Sequence, residues 1–142
     1  MASAYYDINA QQNSTFNFHL EYYDDNGNPI NLSGYTARLH VRPSTGSPVK
    51  YLEISTAGVT GGGSTGEWSG TTGGVPGSGG IYLNTGETGG AGFVGGMLIT
   101  ADANTMGNVR VGSWKYSLDL TIGVTTEELM NGQFVVSPKA TR

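Results

Sequence analysis

The sequence contains no cysteine. That excludes a disulfide framework, a thiolate metal site and a cysteine nucleophile, and it leaves the redox compartment unread. Charge is scarce as well. Only 13% of the residues are Asp, Glu, Lys or Arg, against about a quarter in an average domain. Such a thinly charged surface fits a chain that covers part of itself with partners; in the plainer reading, Ser, Thr, Asn and Gly supply the polarity instead. The seven Lys and Arg residues are scattered and the net charge is −4. Nucleic-acid binders show a clustered basic patch, so nucleic acid is not an expected partner. No apolar run approaches the ~20 residues of a membrane-spanning helix. The opening MASAYYDINAQQNS lacks the basic-then-apolar order of a secretory signal. A soluble chain, or one delivered within an assembly, with no membrane partner, is expected.

What is present is strand. Over residues 15–23, TFNFHLEYY, the residues Phe16, Phe18, Leu20 and Tyr22 alternate with Asn17, His19 and Glu21. This is the period of a half-buried strand. Asp25, Asn26 and Gly27 then mark a tight turn. In YTARLHVR, residues 35–42, Tyr35, Ala37, Leu39 and Val41 form an inward set, and Thr36, Arg38, His40 and Arg42 an outward one. Pro43 stops the ladder because it has no N–H to donate. VKYLEIS, residues 49–55, predicts a third strand with Val49, Tyr51 or Leu52, and Ile54 as anchors. After Met97 come a short strand, one helical turn over ADANTM capped by Thr100 and ended by Gly107, and SWKYSLDLTI, residues 113–122. There Trp114, Tyr116, Leu118, Leu120 and Ile122 share a face opposite Lys115, Ser117, Asp119 and Thr121. A last pair, VTTEELM and QFVVS, is interrupted at Asn131 and Gly132, as a hairpin turn or as a bulge in one continuing strand.

Between them, residues 58–96 hold most of the 24 glycines. Gly-rich chain is costly to order, so the expectation is a long inserted loop with a short strand near Ile81–Leu83, docked through its apolar residues. The whole predicts one domain over residues 1–142, an all-β, immunoglobulin-like Greek-key sandwich of about seven strands with a Gly-rich insertion at 58–96. The Cys…Trp…Cys signature of antibody domains is missing. Trp114→Ala or Leu118→Ala should cost about 3–5 kcal/mol if these side chains are core. Deleting 58–96 should leave a stable domain that fails in assembly.

Motifs with chemistry are hard to find. His19 and His40 fall on outward faces, and two ligands without a carboxylate pattern make no zinc site. Asp24-Asp25-Asn26-Gly27-Asn28 has the composition of a calcium loop but not its spacing, and reads as a turn. Gly61–Gly63 and Gly89–Gly96 lack the lysine and the strand–helix context of a phosphate loop. Glu127 and Glu128, adjacent on a strand, point to opposite faces and share no site. The expectation is therefore no enzyme, no catalytic residues, no metal and no cofactor. Candidate interface residues are Trp68, Tyr82 and Phe93 in the insertion, Tyr5 and Tyr6 in the N-terminal arm, and Arg142 in the tail.

The segments YYDINAQQNSTFNFHLEY, DDNGNPINLSGYTARLHVRPS, LEIST, LITADANTM, WKYSLDLTI and NGQFVVSPKATR together resemble a family of phage virion structural proteins with an immunoglobulin-like domain, such as the N-terminal domain of phage baseplate upper proteins. The resemblance covers residues 5–56 and 97–142. It implies a non-catalytic, multi-copy assembly or adaptor module in the tail, baseplate or neck of a tailed-phage virion. Its expected partners are other virion proteins and further copies of itself. The alternatives are a capsid decoration protein on the phage head and a carbohydrate or host-surface binding module.

Overall fold

A computed structural model describes residues 4–44, 46–62, 66–69, 74–85 and 94–138. In chain order the strands are β1 (Ala4–Tyr5), β2 (Ile8–Gln11), β3 (Phe16–Glu21), β4 (Thr36–Arg42), β5 (Val49–Lys50), β6 (Leu52–Ser55), β7 (Gly58–Gly61), β8 (Trp68–Ser69), β9 (Val75–Gly77), β10 (Gly79–Leu83), β11 (Gly96–Ala101), β12 (Gly112–Ile122) and β13 (Thr125–Ser137), with one helical turn, α1 (Ala103–Met106), after β11.

The larger sheet runs β1-β13-β12-β4-β6-β7-β9, with β2 also on β13. The smaller runs β10-β11-β3, and β5 and β8 form a two-stranded ribbon. All pairs are antiparallel except β1 and β2, which lie parallel to β13. Taken as B-C-C′-C″-D-E-F-G, strands β3, β4, β6, β7, β10, β11, β12 and β13 reproduce the immunoglobulin arrangement of the variable type. There the sheet containing G, F and C is extended by C′ and C″.

Alternation places the core between the sheets, as period-2 strands require. Leu39, Val41, Leu52, Ile54, Leu118, Leu120 and Phe134 from the larger sheet meet Phe16, Ile81, Met97, Ile99 and Ala101 from the smaller one. Phe16 and Phe134 cross the gap edge to face, ring centroids 5.4 Å apart, a favoured aromatic geometry.

Several local expectations change. The Gly-rich stretch holds the expected strand at Ile81–Leu83 within β10, but β7, β8 and β9 also lie inside residues 58–96, with Val59 and Ile81 buried. The third strand is split at Tyr51 into β5 and β6, and Tyr51 and Leu52 are both buried. Thr100 still belongs to β11, paired with Gly80 and Asn17. The cap of α1 is instead Asp102, whose Oδ1 accepts from the Thr105 amide at 3.0 Å, the usual role of Asp at this position. Asn131 and Gly132 sit inside one unbroken β13. The irregularity comes earlier: Leu118 pairs with Met130 and Asp119 with Glu128, so Leu129 is extra. Leu129 and Met130 are consecutive and both buried, as a β-bulge permits.

The turn at Asp24–Asn28 closes as a hairpin, the Asp24 amide donating to the Asn28 carbonyl at 2.8 Å. The Asp24 carboxylate accepts from the amides of Asn26 and Asn28, both at 2.9 Å. That carboxylate is thus spent on the turn itself.

Candidate interaction surface

The outward residues of β4, β12 and β13 form three cross-strand rows on the open face of the larger sheet. In the first row Arg42 faces Lys115, and Lys115 faces Gln133. In the middle row Glu53, His40, Ser117 and Asn131 follow one another. In the third, Arg38 faces Asp119, and Asp119 faces Glu128. Cross-strand neighbours of this kind bring side chains within about 5 Å at Cβ. The first row thus sets two cations side by side and the third sets two acids side by side.

These rows floor a groove of about 660 Å³, walled by Tyr5 of the N-terminal arm and by Ser44 and Gly46 of the loop after β4. The arm is seated by a close approach at Gly132. A Cβ built there would lie 2.2 Å from the Tyr6 carbonyl oxygen, and its φ of +156° also favours glycine. The Tyr116 hydroxyl donates to the same carbonyl at 2.5 Å. The Asp7 carboxylate accepts from the Gln133 amide at 3.1 Å. Burial, followed by the charge of Asp7, pushes the Tyr116 hydroxyl up.

Within the groove, the Ser117 hydroxyl reaches Asp119 Oδ1 at 3.1 Å and Glu128 Oε2 at 2.9 Å. Asn131 Nδ2 donates to Glu128 Oε1 at 2.6 Å. Arg42 and Lys115 have no ion-pair partner among the described residues, and Arg42 Nε is buried without a hydrogen bond.

His40 was expected on an exposed polar face and is instead 9% exposed. Long neighbours on three strands close over an outward position in the middle of a wide sheet. Burial lowers its pKa to about 4 against the opposing pull of Glu53, and Arg38, Arg42 and Lys50 add to the lowering. Its Nε2 lies 3.5 Å from Glu53 Oε1 without forming a hydrogen bond. The Glu53 carboxylate is paired with Lys50 at 3.1 Å. His40 is therefore neutral near pH 7. The unfolded chain, with a histidine pKa near 6.5, binds the proton more readily than the folded one, so stability rises with pH between the two values. The histidine's contribution is complete above about pH 6.5 and is lost as pH falls toward about 4. Each unit is worth about 1.4 kcal/mol, so the shift to about 4 is worth on the order of 3 kcal/mol. Denaturant melts of the parent and His40→Gln across this window should show the parent's slope flattened in the variant. Parallel slopes would remove His40 from the pH dependence.

The two histidines do not meet. His40 is on the larger sheet, while His19 on β3 hydrogen-bonds through Nε2 with the Thr85 carbonyl at 3.0 Å. Among the described residues no group of three His, Asp or Glu side chains is placed to hold a metal. Of the residues singled out as interface, Tyr5 and Tyr6 are exposed, at 65% and 51%, and Tyr5 lines the groove. Tyr6 leans on Phe18, ring centroids 5.7 Å apart. Tyr82 is exposed on the smaller sheet. Trp68 is corrected: it is buried, because β8 pairs with β5 and its ring packs at Gly74. Phe93 and Arg142 lie outside the described residues. The residues missed as a site are Arg42, Lys115, Asp119 and Glu128. Their outward direction was legible for the first three, but not which strands would lie side by side.

This fold and groove define an all-β, immunoglobulin-like sandwich with a polar, mixed-charge recess on the open face of its larger sheet. No family model and no curated protein matches the chain. Among solved structures it is similar to a marsupial T cell receptor, with a TM-score of 0.45 and 10% identity over 96% of this chain. The chain spans about half, 51%, of that receptor chain. The assignment of the fold rests on strand order and pairing.

Proposed function

We propose that this chain is a non-catalytic module of a tailed-phage virion, a multi-copy assembly or adaptor unit of the tail, baseplate or neck. The observation that carries the reading is the charge layout of the larger sheet. Four of the five described Lys and Arg residues, Arg38, Arg42, Lys50 and Lys115, belong to its open face or to the ribbon bordering it, although the chain as a whole is acidic. Interspersed charges on one face give register and partner choice more than raw affinity, which is what repeated docking in an assembly requires. The phage assignment is supported by the resemblance over residues 5–56 and 97–142.

The test is immunogold electron microscopy of particles from the lysate that yields this chain, with an antibody raised against it. Label at the tail end or neck is expected. Label spread over the head would replace the adaptor with a capsid decoration role, and particles without label would overturn the virion reading.

A further inference from the structure

We propose that the groove on the larger sheet is a binding site for an acidic sugar, a saccharide residue carrying a carboxylate, free or within a polysaccharide. This inference does not rest on the virion reading. The carboxylate belongs at the Arg42–Lys115 row. Two cations directly opposite on neighbouring strands repel one another, and neither has an ion pair among the described residues. Arg42 Nε is a buried donor without an acceptor, and His40 Nε2, one position along the same face, is likewise buried and without a hydrogen bond. Unsatisfied buried groups are uncommon and call for a reason. A carboxylate in the groove gives Arg42 an acceptor and separates the two charges.

The far end of the groove selects what is attached to that carboxylate. Asp119 lies four residues along β12 from Lys115, about 13 Å away at strand spacing. Ionised carboxylates only accept hydrogen bonds, and Asp119 and Glu128 face one another there. A phosphate chain or nucleic acid meets two carboxylates at this end, offset only by Arg38 opposite Asp119. Sugar hydroxyls donate, so they suit Asp119, while Ser117 and Asn131 add side chains that both give and accept. Tyr5, 65% exposed on the wall, offers a ring face to the C–H side of a sugar. A peptide strand laid into the groove is a poorer occupant, whatever protein docks on the face around it. The floor is a sheet face rather than a strand edge, so it has no free ladder groups for an added strand.

The experiment is NMR titration of the full chain with glucuronic and galacturonic acid, glucose, inorganic phosphate and a Lys-Glu dipeptide. At least one sugar acid is expected to bind in the millimolar range, shifting amides of residues 40–42 and 115–119. Glucose and phosphate should bind at least about tenfold more weakly, the scale of one charged hydrogen bond. Lys115→Gln should weaken the sugar acid by about tenfold, as should Arg42→Gln. Lys115 is exposed, so its variant keeps the fold and the test stands if Arg42→Gln does not fold. Asp119→Asn should weaken a galacturonate disaccharide, whose second ring reaches that end, and leave phosphate no weaker. No shift with either sugar acid, phosphate binding as tightly as the sugars, tighter binding of the dipeptide, or unchanged affinity in Lys115→Gln would each overturn the assignment.

Discussion

Deleting residues 58–96 is expected to abolish the cooperative unfolding transition. Among the described residues the smaller sheet consists of β10, β11 and β3. Without β10 it becomes a two-stranded ribbon, which is marginal in water. On the larger sheet the cut removes β7, which pairs with β6 over Leu52–Ser55, and β9 beyond it. Val59, Trp68 and Ile81 leave with the segment, all buried, each worth about 1.5–3 kcal/mol of burial. Three such side chains approach the whole stability of a small domain, about 5–15 kcal/mol. The chain also loses the residues that carry it from one sheet to the other, since the deletion joins the turn after β6 directly to β11. Circular dichroism during heating checks this. The parent should show a sigmoidal melt and the deletion a shallow drift. A deletion melting within a few degrees of the parent would return residues 58–96 to the status of an insertion on a self-sufficient sandwich.

That segment also shows where the sequence could be read and where it could not. Alternation over Phe16–Leu20, Ala37–Val41 and Trp114–Leu120 was sufficient to find β3, β4 and β12 and their inward faces, because a period of two survives any sheet order. Glycine has no side chain to alternate, so between residues 58 and 96 the sequence yielded only the strand near Ile81–Leu83 and not β7, β8 or β9. There the glycines mark close approach. A Cβ at Gly79 would lie 2.3 Å from the Thr100 carbonyl oxygen across the β10–β11 pair. From the sequence alone, such a position looks the same as a flexible one. The groove was hidden for a different reason. Arg42, Lys115 and Asp119 were legible as outward residues of separate strands, but their rows exist only once β4, β12 and β13 lie in order. The bulge at Leu129 is also what brings Glu128, rather than Leu129, opposite Asp119.

Phe134→Ala is expected to lower the unfolding free energy by about 3–5 kcal/mol, the range for truncating a buried aromatic. The ring is fully buried and stands at the point where the two sheets and the N-terminal arm meet. It packs edge to face on Phe16 of β3 at 5.4 Å and on Tyr116 of β12 at 6.5 Å. Its backbone pairs with Trp114 on one side and with Ile8 of β2 on the other. A cavity here cannot collapse cheaply, because its lining comes from strands held by separate hydrogen-bond ladders; the cost grows with the volume left unfilled. Leu118→Ala, also at a fully buried position, should cost about 2–5 kcal/mol. Trp114→Ala should cost less than Phe134→Ala. Its ring is only partly buried, and it packs at the margin of the core on Tyr51, 4.7 Å between centroids. Urea denaturation of the three variants orders them, and equal losses at Trp114 and Phe134 would mean that the indole is as much a part of the core as the phenyl ring. Because Phe134 is two residues from Gly132, where the arm is seated, its loss should also loosen Tyr5 at the groove wall. Faster amide exchange at Tyr5 and Tyr6 in Phe134→Ala, with Leu118→Ala at matched stability as the reference, would show that the core position supports the wall. Equal exchange in the two would confine the effect of Phe134 to global stability.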